Sequence, residues 1–204
     1  MLKIKVCGMR EPENILALDE LKPDIIGFIY YASSPRFVGH SFVPPHALSA
    51  KKAGVFVNEN ALSVKSAAIN VHLDYIQLHG NESSDYCANL YNSGFSIIKA
   101  FGMNHKTNFQ VMQEYLPFCD FFLFDTASKN KGGSGRQFDW RILEDYPFDK
   151  PFFLSGGIGP ADAEEIKNIQ QPFLYGIDLN SRFEIESGIK KIPPLKTFFH
   201  AIRQ

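Results

Sequence analysis

The sequence lacks most of what would place it in a specialised class. Its three cysteines, Cys7, Cys87 and Cys119, are odd in number and show none of the paired spacings of a zinc site. Neither a disulfide framework nor a bound metal is therefore expected. An excess of one charge is missing too. Lys and Arg together number 21 against 22 Asp and Glu, for a net charge of -1 with no basic run, which argues against nucleic acid as a partner. No apolar run reaches the ~18 residues of a membrane span. The first residues read as a strand and not as a signal peptide, so a soluble, cytoplasmic protein with no membrane partner is expected. Tryptophan occurs once, but 19 phenylalanines contribute to a hydrophobic content of 45%, enough for a large core. A chain of this length buries about 70% of its unfolded surface without staples. With no linker-like stretch inside it, the chain reads as a single domain over residues 1–204.

What the chain does contain is a period. Eight short apolar runs, KIKVCG, DIIGFIYY, KKAGVFVN, DYIQLHG, SIIKAFG, DFFLFD, PFFLSGG and YGIDLNS, end at Cys7, Tyr30, Asn58, His79, Phe101, Asp125, Ser155 and Asp178. Successive ends lie 21 to 30 residues apart, the length of one strand, one helix and two loops. Several intervening stretches have helical spacing. EPENILALDEL carries Pro12 at a first turn and Ile15, Leu18 and Leu21 three apart, and GPADAEEIKNI repeats the design from Pro160. NESSDYCANLYNSG offers serines for a cap, Cys87, Leu90 and Tyr91 for a buried stripe, and Gly94 for the stop. LKTFFHAIRQ puts Leu195, Phe198, Phe199 and Ile202 on one face, whereas FVGHSFVPPHALSA has room for at most a short helix after Pro45. Eight strands, apolar on both faces and alternating with helices, predict parallel pairing and closure into an α/β single-domain (β/α)₈ TIM barrel. An open doubly wound sheet is the alternative. It would often show a glycine-rich loop after the first strand, and here no glycine follows Gly8 until Gly27.

Barrels of this kind carry their chemistry where strands end and βα loops begin. Cys7 and Asp125 stand at two such ends, and a thiol with a carboxyl group suits general base and general acid work. Each has a plainer reading, Cys7 as a small buried hydrophobe and Asp125 as the cap of the next segment. The loops after the seventh and eighth strands are the habitual phosphate site of the fold. There Gly156 and Gly157 let backbone amides approach an anion, with Asn180 and Ser181 beside them. Arg36, stiffened by Pro35 in the second loop, suits a carboxylate, or is an ordinary surface arginine. The long polar stretch after the sixth strand, with Gly132, Gly133 and Gly135, reads as a lid or a surface loop. Lys99 is the one evident strand-end lysine, the residue that a lyase would use.

Six stretches in order, KVCGM, SPR, QLHG, FDT…GGSGRQFDW, LSGGI and GIDLNSRFE, resemble the phosphoribosylanthranilate isomerase family across essentially the whole chain. The resemblance implies a small-molecule partner, a phosphosugar joined to anthranilate, and an Amadori rearrangement of it in tryptophan biosynthesis that needs no cofactor. It implies Cys7 as general base, Asp125 as general acid, Arg36 on the anthranilate carboxylate, and Gly156, Gly157 and Ser181 on the phosphate. It leaves monomer and homodimer equally open. Two departures stand out: Asn180, Ser181 and Arg182 replace the family's common Ser-Ser-Gly, and Arg10 stands near a common threonine. The alternatives are a lyase of the same pathway and a phosphosugar-binding barrel without turnover.

Overall fold

The computed structural model describes residues 1–127 and 137–204. The loop in which Gly132, Gly133 and Gly135 suggest a lid lies outside the described residues. Eight parallel strands, β1 (Lys3–Val6), β2 (Ile25–Ile29), β3 (Lys51–Phe56), β4 (Tyr75–Leu78), β5 (Ile97–Met103), β6 (Phe121–Thr126), β7 (Phe152–Leu154) and β8 (Leu174–Leu179), close into a barrel in sequence order, with β8 returning to β1. The predicted (β/α)₈ architecture is therefore the observed one.

Its outer layer is less regular than the period implies. Helices α1 (Pro12–Asp19), α2 (Ala61–Asn70), α3 (Ser84–Tyr91), α4 (Ala163–Lys167) and α5 (Ile192–Arg203) follow β1, β3, β4, β7 and β8. The predicted stripe of Leu195, Phe198, Phe199 and Ile202 is the buried face of α5. Ser83 caps α3 by accepting a hydrogen bond from the Tyr86 amide, as the serines in that stretch suggest. No helix joins β2 to β3, since Pro44 and Pro45 restrict that backbone, and the links after β5 and β6 hold 3₁₀ turns at Phe109–Phe118 and Trp140–Asp145. After β8 comes a small antiparallel hairpin, β9 (Glu184–Glu186) and β10 (Ile189–Lys190), which the sequence period does not foretell. Among the described residues no helix is long and apolar enough to cross a membrane.

The expectation that each strand is apolar on both faces needs correction. Side chains alternate along a strand. Ile4 and Val6 of β1 join the large apolar layer between barrel and helices, which puts Lys5 and Cys7 on the inner face. Inside, a lower plug of Ile25, Ala53, Ile98, Ala100, Leu123 and Phe153 fills the barrel. Above it the inner face is polar although buried, with Lys5, Gln77 and Asp178 all nearly inaccessible to solvent. The buried apolar layer sits outside the barrel, and the polar layer within it forms the floor of a cavity.

Candidate active site

That cavity, about 290 Å³ in volume, opens where the strands end. It is lined by all seven side chains or loop positions singled out from sequence: Cys7, Arg36, Asp125, Gly156, Gly157, Asn180 and Ser181. Four residues whose part in it was missed also line it or lie beneath it. Gln77, His79 and Asp178 face the cavity, and Lys5 lies under Cys7, two residues back on the same face of β1. The signal for Lys5 and Gln77 was the strand alternation itself, which puts each on the same side as the strand-end residue two positions later.

The barrel register builds the floor. Lys5 and Asp178 are partners across the β1–β8 pair, and Lys5 Nζ donates to Asp178 Oδ1 at 2.8 Å with both groups out of solvent. Burial pulls Lys5 down, but Asp178 and Cys7 outweigh it, so its pKa ends above the ordinary value and the ammonium is retained. Burial pushes the Cys7 thiol above its ordinary value, with Asp178 adding to the rise, and the positive charges of Lys5 and Lys190 oppose that rise without cancelling it. Of these cations, Lys5 comes from β1, the strand that leads into Cys7, and Lys190 from β10. Two glycines make room. A Cβ on Gly27 would lie 2.8 Å from Cys7 Sγ. At Gly8, where φ is +76°, a Cβ would lie 2.6 Å from Arg36 Cδ and 2.8 Å from Asn180 Oδ1.

Arg36 occupies the rim, but its fork is already engaged. It donates from Nε and Nη2 to the two carboxylate oxygens of Glu184 at 2.8 and 2.6 Å. The bidentate face expected to meet a ligand's carboxylate meets the chain's own, which leaves the Nη1 end for a ligand. Glu184 opens β9, and Lys190, its partner across the hairpin, donates to Glu184 Oε1 at 2.6 Å and to Asn180 Oδ1 at 2.8 Å. Burial would raise Glu184, yet Arg36 and Lys190 together hold its carboxyl below the usual range. The hairpin therefore ties the eighth loop to the second, and Asn180, where the family commonly has serine, spends its oxygen on Lys190. Arg10 closes the same side by donating to the Pro35 carbonyl at 3.3 Å.

On the opposite wall, Asp125 accepts from the Thr126 amide at Oδ1, 2.8 Å away, and its Oδ2 lies 3.2 Å from His79 Nε2. Gly156 packs on this group: with φ at +92°, a Cβ there would sit 3.0 Å from Asp125 Oδ1 and collide with Thr126. Gly157 is also left-handed, at +71°. The glycine pair that sequence assigns to an anion thus also gives Asp125 its space. Beside it, Arg182 runs along the same loop, its Cβ 3.6 Å from where one on Gly159 would lie.

Lys99 is on the outer face of β5 and does not line the cavity. Its ammonium donates to the carbonyls of Leu78, Gly80 and Ala100 and to Glu82 Oε2, at 3.0 to 3.3 Å. The lysine on which a lyase would depend is a structural tie between β4 and β5. Cys87 and Cys119 are buried and unbridged, as expected of packing residues.

Known proteins agree with this geometry. The family model described as N-(5′-phosphoribosyl)anthranilate (PRA) isomerase matches residues 4–201. The N-(5′-phosphoribosyl)anthranilate isomerase of Parabacteroides distasonis is 50% identical over 98% of this chain and 92% of its own length. Phosphoribosylanthranilate isomerase of Thermotoga maritima superposes with a TM-score of 0.81 at 29% identity, covering 100% of this chain and 99% of that one. A further isomerase structure, in complex with reduced 1-(o-carboxyphenylamino)-1-deoxyribulose 5-phosphate, superposes at 0.78 with 26% identity, covering 100% and 99% of the two chains. Fold, motif order and full-length similarity converge, and the chain belongs to the N-(5′-phosphoribosyl)anthranilate isomerase family.

Proposed function

We propose that the chain converts N-(5′-phosphoribosyl)anthranilate into 1-(2-carboxyphenylamino)-1-deoxyribulose 5-phosphate, an aldose-to-ketose isomerisation in tryptophan biosynthesis, by acid and base chemistry of its own side chains. Asp125 gives a proton to the furanose ring oxygen. The bond from that oxygen to C1 breaks, and the anilino nitrogen supplies the electron pair that makes an iminium ion. Cys7, as thiolate, removes the proton from C2, and its electrons move to C1 and nitrogen to give an enolamine. Loss of the enol proton and protonation at C1 then give the ketone. C2 is oxidised and C1 reduced within one molecule, so these steps call for no hydride acceptor. The Nη1 end of Arg36 meets the anthranilate carboxylate, while the loops at Gly156, Gly157, Asn180 and Ser181 hold the phosphate.

The observation that carries this reading is the meeting of Cys7 and Asp125 in one cavity. The test is fluorescence. Purified protein mixed with freshly prepared phosphoribosylanthranilate should discharge the anthranilate signal, and Cys7→Ala or Asp125→Ala should slow that loss by about 10² to 10⁴ while binding persists. Unchanged turnover in either variant would strike that residue from the mechanism.

A further inference from the structure

Gln77 has no part in the reaction as written, yet it lies nearly inaccessible in the polar floor of the cavity. A buried carboxamide is costly unless both its ends are bonded. Here only one end is. Gln77 Nε2 lies 2.8 Å from His79 Nδ1, while its Oε1, also out of solvent, has no partner among the described residues. Strand β4 fixes this contact, because Gln77 and His79 are two residues apart on its inner face, and the register against Val55 and Ile98 holds Gln77 from both sides.

An amide nitrogen only donates. With Nε2 turned to the ring, His79 Nδ1 must be bare and accept, so the single proton of the neutral imidazole is on Nε2. That nitrogen is the one 3.2 Å from Asp125 Oδ2, and it donates to the carboxylate. Asp125's other oxygen already accepts from Thr126. In this arrangement both oxygens of the acid are held as acceptors, and the His79–Asp125 pair is one proton short of what protonating a ring oxygen requires. A proton added at Nδ1 would face the carboxamide's own N–H bonds. Turning the carboxamide end for end removes that clash, because Oε1 then accepts from Nδ1–H, and the pair holds its extra proton with Oε1 no longer orphaned.

We propose that Gln77 is a positioning residue for the acid: the orientation of its carboxamide sets which ring nitrogen of His79 carries the proton, and thereby whether the His79–Asp125 pair is empty or loaded. This rests on Asp125 being the acid, and it adds a residue that acts through His79.

The experiment reads the ring directly. With ¹⁵N-labelled histidine at mildly alkaline pH, the His79 signals are assigned by their loss in His79→Asn. In the unmodified protein they should show Nε2 protonated and Nδ1 bare. Gln77→Glu presents only acceptors and should reverse the pattern, with Nδ1 protonated. Gln77→Met, of similar length and without polar atoms, should leave a mixture of tautomers. Its kcat should fall about tenfold, a fraction of the ~10² to 10⁴ that a full proton-transfer group supplies, and the acidic limb of its pH–rate profile should move while KM holds. A bare Nε2 in the unmodified protein, or a tautomer unmoved by Gln77→Glu, overturns the proposal without any need for activity. Failure of the acid assignment looks different: full turnover in Asp125→Asn would remove that reading while the ring signals still responded to Gln77.

Discussion

Two lysines on β1 allow burial to be isolated as a variable. Lys3 and Lys5 lie two residues apart, and each donates to an aspartate at 2.8 Å, Lys3 to Asp24 and Lys5 to Asp178. They differ in solvent access. The Lys3 pair is 45% and 29% exposed, whereas the Lys5 pair is 0% and 5%. An exposed pair is screened and pays side-chain entropy, so Lys3→Met should cost about 0 to 1 kcal/mol. Lys5→Met strands a buried carboxylate and should cost about 3 to 5 kcal/mol. Replacing both partners, Lys5→Met with Asp178→Leu, removes the stranded charge and should recover most of that loss. Burial already raises the Asp178 carboxyl with Lys5 present, and loss of Lys5 raises it further. A carboxyl whose folded pKa exceeds its unfolded value of ~3.9 binds more protons folded than unfolded, so it stabilises at low pH, and that stability is lost as pH rises through the folded pKa. The deficit of Lys5→Met should therefore be smaller at about pH 5 than at about pH 8. Urea unfolding midpoints of the four proteins at both pH values give every quantity. Equal losses from Lys3→Met and Lys5→Met, or a double variant as unstable as Lys5→Met alone, would refute the view that the barrel floor is held by a desolvated ion pair.

Two further outcomes follow from the rim. Gly8→Ala should cost more than an ordinary loop substitution, about 1 kcal/mol or more from the left-handed backbone alone, and should also weaken binding, because the added methyl displaces Arg36 and Asn180; unchanged affinity for a product analogue would show that neither is where the ligand needs it. Glu184→Gln leaves the charges of Arg36 and Lys190 uncompensated near Cys7, so the rate of thiol alkylation at Cys7 should rise at a given pH, whereas Lys5→Met should lower it; shifts of the same sign would show that alkylation is not reporting the local charge.

The barrel was legible because its signal is local and repeated. Each apolar run declares itself within a few residues, and eight of them at a steady interval constrain the topology. The strand-end candidates were legible for the same reason, since position along a run places a residue on the rim. What could not be read were partnerships across the barrel. Nothing within a few residues of Lys5 marks its partner, and only the closure of β8 against β1 brings Asp178, 173 residues away, to cover it. Arg36 was a free fork in sequence and a closed one in the structure because Glu184 reaches it from 148 residues further on, carried by a hairpin without a strong local signature. His79 and Gln77 were visible only as the end of a strand. Their chemistry lies in one contact along the strand and another to Asp125.

These partnerships bear on the proposal that one small cavity serves both a base and an acid. Around Cys7 stand the basic groups Lys5, Arg36 and Lys190 and the acidic groups Asp178 and Glu184, in buried or half-buried ion pairs. Lys5 and Lys190 oppose, without cancelling, the burial that holds the proton on the Cys7 sulfur. Among the described residues, Asp125 has a histidine, a backbone amide and the glycine loop for neighbours, and these orient the carboxyl group. On the proposed roles, basic side chains gather on the wall where Cys7 would take a proton, and an imidazole stands beside Asp125 on the wall where one would be given.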